Sequence, residues 1–344
     1  MNSPIEFAVF GFPTFSAVAE RLCGTEIVDI RPCSGGGNNR VFRVMTADRT
    51  YAMKCYGPAE LGEHDRLGHE FDGLRFLYEW GIRDILPRAV AVDRIARCAL
   101  YEWVHGGPVG PRGVAELDAL LDLLTALHAA RRSPQAASLP LATEAVLQRS
   151  ELLEQIDARI ARLASVAQAE PQLASFVRRE LQPELERQVA RSRASGLDTR
   201  VPADARTLSP SDLGFHNAVR RPDGSLTFID FEYFGWDDPV KVAADVLWHP
   251  AMQLNWGERR RLLAGAAALY GDDPMFVHRL ANLYPLFGIR WVLIVLNEFI
   301  PAMWQRRSAA GHTGDWEHAK QTQLSKARSK LSLVRACAES EFIS

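Results

Sequence analysis

Lysine is almost missing from this chain. Of 40 Lys and Arg residues only five are lysine, and Lys54 stands alone before position 241. Cysteine is sparse as well. Cys23, Cys33, Cys55, Cys98 and Cys337 are odd in number, and none are spaced as C-x-x-C. That excludes a zinc or disulfide framework and suits reduced thiols in a cytoplasmic protein. Net charge is −2, so no overall field favours nucleic acid or a membrane surface. The start, MNSPIEFAVFGFP, lacks the basic residues and long apolar run of a signal peptide. The most apolar stretch, 283–304, is interrupted by Arg290, Asn297, Glu298 and Pro301. It reads as a buried helix or helix pair, not a membrane span. There is no internal repeat or low-complexity tract, and nothing in the sequence specifies an oligomeric state.

What is present is a normal globular composition, 47% hydrophobic and 24% charged, enough for one large or two moderate cores. The first 105 residues alternate strand and turn signals around one helix. Short β-rich runs fall at 26–33, 40–46, 50–57, 88–93 and 98–104. Residues 66–80 carry Leu67, Phe71, Leu74, Leu77 and Tyr78, a stripe at helical spacing. At His105-Gly106-Gly107-Pro108 the texture changes. Helical patterns follow at 113–131, 143–165, 172–194, 239–249, 257–270, 276–304 and 315–339. The organisation is therefore a small β-rich N-lobe (1–105), a Gly-Pro hinge and a larger helical C-lobe (106–344). Within the C-lobe, 133–205 is rich in Arg and Glu and reads as a helical insert.

One β interruption in the helical half concentrates carboxylates. LSPSDLGFHNAVRRPDGSLTFIDFEYFGWDDP, residues 208–239, holds five aspartates. Pro222-Asp223-Gly224-Ser225 is a turn composition. A hairpin centred between 223 and 224 sets Asn217 opposite Asp230, with Asp212 in the loop before them. An amide oxygen beside a carboxylate is the kind of hard ligand set Mg²⁺ takes. A further carboxylate could accept a proton from a hydroxyl. A solvated acidic hairpin, with Asp212 capping a turn, is the alternative. Asp237-Asp238-Pro239 begins the helix at 239, with a carboxylate at its N-terminal dipole, and Asp245 lies inside that helix as a buttress.

The N-lobe adds a second group. Ser34-Gly35-Gly36-Gly37-Asn38-Asn39 joins two strands, and glycine lets backbone amides approach phosphate. A flexible hairpin loop explains it equally well. In 50–57, Tyr51, Met53 and Cys55 face one way and Ala52, Lys54 and Tyr56 the other. Lys54 is placed either to meet phosphate oxygens or to snorkel at a sheet edge. Glu70 flanks the helical stripe, and a carboxylate beside a buried face needs a partner. Lys54 is the evident one. Glu63, Asp65 and Asp72 lie before the stripe or on its more polar side.

In chain order these are a Gly-rich hairpin, a strand Lys, a helix Glu, a Gly-bearing hinge, Asp-x-x-x-x-Asn, and a hairpin ending in Ile-Asp-Phe-Glu. Over about 25–300 the chain resembles the aminoglycoside phosphotransferase/choline kinase family of protein-kinase-like small-molecule kinases. The resemblance implies an α+β bilobal protein-kinase-like fold. It implies transfer of the γ-phosphate of ATP, with Mg²⁺, to a hydroxyl of a sugar, amino sugar or amino alcohol. It implies Asp212 as catalytic base, Asn217 and Asp230 as Mg²⁺ ligands, and Lys54, held by Glu70, on the α/β-phosphates. Gly35, Gly36, Gly37, Asn38 and Asn39 correspond to the phosphate loop, and Glu102-Trp103-Val104 to the hinge that meets adenine. Pro210-Ser211 stands where the family has His-Gly, and a rigid Pro can replace part of that His's support of the loop. A nucleotide-binding pseudokinase and an aminoglycoside-resistance phosphotransferase are the alternatives. A protein kinase fits less well, because Glu232 stands where Asp-Phe-Gly has its glycine and no Ala-Pro-Glu-like segment follows.

For the acceptor pocket the candidates are His216, Glu232, Trp236 and Trp248, with Arg290, Asn297 and Glu298 on the apolar helix 287–299. Internal salt bridges, such as Arg290 with a nearby Asp, are the competing account. Core packing is the default for Trp236, Trp248, Trp291 and Trp304.

Overall fold

The computed structural model describes residues 14–33, 39–57, 64–309 and 314–336. The chain begins with α1 (Phe15–Cys23), a helix the pattern did not announce. Thr14 caps it by accepting from Ala17 N at 3.3 Å, and Gly24 ends it at φ +66°. Nine residues give too short a stripe to stand out, so the expectation of one N-lobe helix is corrected to two.

Alternating side chains then build one antiparallel sheet. Its strands are β1 (Asp29–Pro32), β2 (Arg40–Met45), β3 (Thr50–Cys55), β4 (Ala89–Asp93) and β5 (Cys98–Glu102), in the order β1-β2-β3-β5-β4. Period two sorts β3 as expected. Met53 and Cys55 join Val18, Ala19, Val44, Cys98 and Leu100 in a core under α1. Ala52 and Tyr56 pack on the opposite face, toward α2 (Arg66–Trp80), which buries Leu67, Phe71, Leu74 and Leu77.

Gly106 turns the chain out of the sheet at φ +152°. A Cβ there would stand 2.1 Å from the Arg220 carbonyl, so glycine lets the hinge and the later hairpin touch. After β6 (Gly107–Pro108) come α3 (Val114–Ala130), α4 (Arg149–Ala167), α5 (Pro171–Phe176) and α6 (Gln182–Ala194). Four short strands follow: β7 (Thr207–Ser209), β8 (Ala218–Arg220), β9 (Leu226–Phe228) and β10 (Gly235–Asp237). β7 pairs with β10, and β6-β8-β9 form a small sheet. The rest is α7 (Pro239–Trp248), α8 (Trp256–Leu269), α9 (Phe276–Val295), α10 (Pro301–Ala309) and α11 (Trp316–Ala336).

Helix α9 is the axis of the helical half, packed against α4, α6, α7 and α11. Gly288 admits its neighbours: a Cβ there would lie 2.6 Å from Val334 and 2.8 Å from Trp248. Phe276–Phe299 is long and apolar enough to cross a membrane by composition, yet 78% of its apolar window is buried within the fold. Leu152, Ile156, Leu163, Leu173, Phe176 and Leu181, all from the expected insert, join the same core as α9. Each such side chain, fully buried, contributes on the order of 1.5–3 kcal/mol.

The hairpin departs from the symmetric register. Ala218 pairs with Phe228, Val219 with Thr227 and Arg220 with Leu226. Arg221 N donates to Ser225 O at 2.9 Å and Gly224 N to Arg221 O at 3.0 Å, with Gly224 at φ +89°. That is a three-residue loop ending in a left-handed glycine, not a two-residue turn. Asn217 therefore accepts from Ile229 N at 2.8 Å and is not opposite Asp230. A one-residue slip alone would send Asp230 to the wrong face. Asp230 instead leaves the strand at φ +68°, a left-handed conformation costing about 1–3 kcal/mol that re-aims its side chain.

Candidate active site

Lys54 lies between Val41 and Ala99 in the middle of the sheet, so its stem is enclosed on both sides. Its Nζ is 2.6 Å from Glu70 Oε2, 2.6 Å from Asp230 Oδ1 and 3.4 Å from Glu232 Oε2. At 8% exposure the residue does not snorkel. Glu70 is buried too. It accepts from Tyr56 Oη at 2.7 Å and from Phe231 N at 3.3 Å, and Tyr56 in turn meets Tyr101 Oη at 2.7 Å. Burial alone would lower the Lys54 pKa, but Glu70, Asp230 and Glu232 outweigh it and hold the ammonium well above its ordinary value. Burial raises Glu70 and Asp230 in spite of Lys54. One ammonium thus serves three carboxylates, and the cluster is short of positive charge.

That shortage is where a divalent cation fits. Asp230, with 36% of its side chain exposed, is the open member of the cluster. Asn217 commits its nitrogen, Nδ2 donating to the Asp212 carbonyl at 2.9 Å and to Asp212 Oδ2 at 3.3 Å, so the amide oxygen is the end that could hold a metal. An amide oxygen and a carboxylate are the hard donors Mg²⁺ takes.

Asp212 sits in a tight loop. Its N–H donates to Pro210 O at 2.8 Å, Ser209 Oγ accepts from Ser211 N at 3.0 Å, and Ser211 is at φ +63°. Two imidazoles converge on Asp212 Oδ1: His216 Nε2 at 3.2 Å and His249 Nε2 at 3.3 Å. The two rings stack with centroids 4.0 Å apart and 5° between planes. Burial pushes the Asp212 carboxyl up, but the two histidines outweigh it and hold it far below the usual carboxylate range. Gly214 makes room for this arrangement. A Cβ there would fall 2.7 Å from the His216 ring and 2.8 Å from Met252 Sδ. His249 escaped the sequence reading. Its one local mark is a His-Pro pair at the end of an apolar helix.

The other expected residues divide. Gly35, Gly36, Gly37 and Asn38 lie outside the described residues. Asn39 donates through Nδ2 to Glu232 Oε2. Glu232 was expected beside the acceptor and instead joins the Lys54 cluster, because it follows the turn made by Asp230. Glu102 and Val104 line a cavity of about 240 Å³ together with Trp103, His105, Arg221, Pro222 and Asp223.

Arg290 and Glu298 are not brought to Asp212. Arg290 donates to Asp245 at 3.1 Å, Glu144 at 2.7 Å and Gln155 at 2.9 Å, the internal salt-bridge outcome. Glu298 pairs with Arg307, and its carbonyl accepts from Trp316 Nε1 at 2.7 Å. Asn297 is half-buried in the turn after α9. Trp236 donates to the Ala136 carbonyl at 2.9 Å, and Trp248 is fully buried, so both belong to packing. Asp238 caps α7 by accepting from Val240 N at 3.0 Å, as expected. Among the described residues, the side chains within hydrogen-bond or ion-pair reach of the Asp212 carboxylate are those of His216, Asn217 and His249.

The chain belongs to the phosphotransferase enzyme family, which matches residues 29–279. It is similar in structure to spectinomycin phosphotransferase APH(9)-Ia, solved with ADP and spectinomycin, at a TM-score of 0.60, with 13% identity over 91% of this chain and 96% of that one. Choline kinase LicA from Streptococcus pneumoniae gives 0.60, with 16% identity over 92% and 98%. A Plasmodium vivax ethanolamine kinase gives 0.53, with 15% identity over 88% and 83%. No curated protein matches the chain in sequence. Family and fold together define a small-molecule phosphotransferase with a protein-kinase-like architecture.

Proposed function

We propose that this phosphotransferase moves the γ-phosphoryl group of ATP to a hydroxyl of a small molecule, with Mg²⁺. Residues 1–105 serve as its nucleotide lobe and 106–344 as its helical lobe. The observation that carries this reading is Lys54, held at 2.6 Å by both Glu70 and Asp230 across the two lobes. Lys54 presents its ammonium to the α/β-phosphates, and Glu70 fixes its direction. The phosphate-loop role belongs by resemblance to Gly35, Gly36, Gly37, Asn38 and Asn39, and the backbone around Glu102 and Val104 meets the adenine. Asn217 and Asp230 hold Mg²⁺, whose charge when bound offsets that of the triphosphate.

Asp212 orients the acceptor hydroxyl and takes its proton as the oxygen bonds to the γ-phosphorus. The bond from phosphorus to the bridging oxygen breaks, and its electron pair leaves with ADP. A carboxylate held far below its usual pKa is ionised throughout the neutral range, ready to accept, yet weakly basic. Weak basicity suits a loose transition state, in which the proton moves late. Most of the acceleration comes from positioning and electrostatics.

The acceptor is a sugar, amino sugar or amino alcohol. Binding a large polycation requires free carboxylates. Here Asp237, Asp238, Asp245, Glu144 and Glu298 are each paired with an internal Lys or Arg. The test is ADP release screened across sugars, amino sugars, choline-like alcohols and aminoglycosides. Asp212→Ala should cut the stimulated rate by about 10²–10⁴-fold while ATP binding persists. Near-normal turnover in that variant would remove Asp212 from its role.

A further inference from the structure

We infer that His249 is a positioning residue for Asp212, an imidazole locked as an Nε2–H donor that decides which carboxylate oxygen faces the acceptor. This rests on the reading of Asp212 given above and extends it.

The tautomer follows from one hydrogen bond. Ala251 N lies 3.1 Å from His249 Nδ1. A backbone amide can only donate, so Nδ1 carries the lone pair, and the proton of the neutral ring is on Nε2. That Nε2 is 3.3 Å from Asp212 Oδ1. His216 Nε2 reaches the same oxygen at 3.2 Å. Two N–H donors occupy both lone pairs of Oδ1. Oδ2, which among the described residues accepts only from the amide of Asn217 at 3.3 Å, is the oxygen that remains to receive a proton.

His249 is the fixed member of the pair. Its side chain is 14% exposed against 23% for His216. Its own N–H donates to the Asp245 carbonyl at 2.8 Å, which anchors it to the last turn of α7. Trp291 meets its ring edge-on at 4.7 Å, and Trp291 Nε1 donates to Asp245 Oδ1 at 2.7 Å. Asp245 is pinned in turn by Lys241 at 3.0 Å and Arg290 at 3.1 Å. The buried charges of α7 and α9 therefore act on Asp212 through a single ring. His216, on the short turn Phe215–Asn217, stacks against that ring. Pro210-Ser211 offers no imidazole on the other side of Asp212, and the brace comes from the end of α7.

Asp212, His216 and His249 have ligand atoms within 4.8 Å of one another, as a transition-metal site would. A metal on His249 Nε2 needs that nitrogen's lone pair and sends the proton to Nδ1, against the Ala251 N–H. The observed hydrogen bond therefore favours a donor over a ligand.

The test is ADP release from Mg-ATP by the full chain, with water as acceptor, alongside ATP binding by calorimetry. His249→Ala should lower kcat about tenfold to a hundredfold. KM and Kd for ATP should stay within about twofold, the pattern of a group acting only on the chemical step. His249→Gln, whose side-chain amide supplies an N–H at similar reach, should recover most of kcat. An unchanged kcat in His249→Ala overturns the inference. So does equal loss in the Ala and Gln variants when both melt at the wild-type temperature, since ring bulk would then be what matters. Tight Zn²⁺ binding that disappears in His249→Ala also overturns it. Asp212→Asn separates the two readings. If it keeps full turnover, or if the wild type releases no ADP with water or with any acceptor of the screen above, the function assigned to the site fails. If Asp212→Asn loses turnover and His249→Ala does not, only the present inference fails.

Discussion

Lys54 and Asp230 are 176 residues apart in the chain and 2.6 Å apart in space. This ion pair, with Glu70, fastens the sheet to the hairpin, so its loss should be felt in stability as well as in nucleotide binding. Lys54→Ala leaves Glu70 and Glu232 buried with no ammonium between them. Breaking one side of a buried ion cluster costs about 3–5 kcal/mol. Denaturant unfolding should show a loss of that order, and calorimetry should show weaker Mg-ATP binding. Glu70→Gln keeps an acceptor for Tyr56 and relieves like-charge repulsion, so it should destabilise less while still loosening Lys54. A Lys54→Ala protein as stable as wild type would mean that the cluster carries no structural load.

The parts of this site legible in the sequence are those set by short-range rules. The two-residue period of β3 puts Lys54 on the face it shares with Ala52 and Tyr56, toward α2, and the helical stripe of α2 puts Glu70 at its flank. Asp212, Asn217 and Asp230 stood out because their spacing straddles a turn. The register of that hairpin was not legible, since Pro222-Asp223-Gly224-Ser225 suits a two-residue turn as well as the three-residue loop that forms. Nor was the backbone reversal at Asp230: aspartate tolerates the left-handed region better than most residues, but nothing local says that this aspartate, of the five in 208–239, adopts it. His249 lies beyond any local pattern, because its partner is decided by where the end of α7 meets the Asp212 loop. The acceptor-pocket reading of Arg290 failed for a related reason. A polar group on an apolar helix signals a need for partners without saying whether they are internal or bound.

Arg290 now supports a firm expectation of its own. It is 5% exposed and carries Asp245, Glu144 and Gln155 on separate nitrogens. Arg290→Ala should therefore act on folding, with a loss of about 3–5 kcal/mol in denaturant unfolding. Asp245 keeps Lys241 at 3.0 Å, which places the loss toward the lower end. If Arg290 contacted the acceptor, the same substitution would raise the acceptor KM at unchanged stability, and that result would restore the pocket assignment.

His128 should give the protein a measurable pH dependence of stability. It lies on α3, buried, with Nδ1 3.0 Å from Thr207 Oγ1 and its ring edge-on to Tyr270 at 5.0 Å. Burial pushes its imidazole down from 6.5 to about 4, with Arg131 and Arg132 adding to the shift and Asp272 opposing it. The folded pKa is below the unfolded one, so the unfolded chain binds the proton more readily. Stability from this group is fully present above pH 6.5 and is lost as pH falls toward 4. The loss should be roughly 1–3 kcal/mol. His69, also lowered by burial, adds to the wild-type slope, so the comparison must be with His128→Gln, which retains a partner for Thr207 and cannot titrate. Urea unfolding at pH 7.5 should find the variant less stable than wild type, and at pH 4.5 the gap should have closed. Parallel stability curves for the two proteins over that range would mean that His128 takes up its proton alike in the folded and unfolded chains, so that burial does not set its charge.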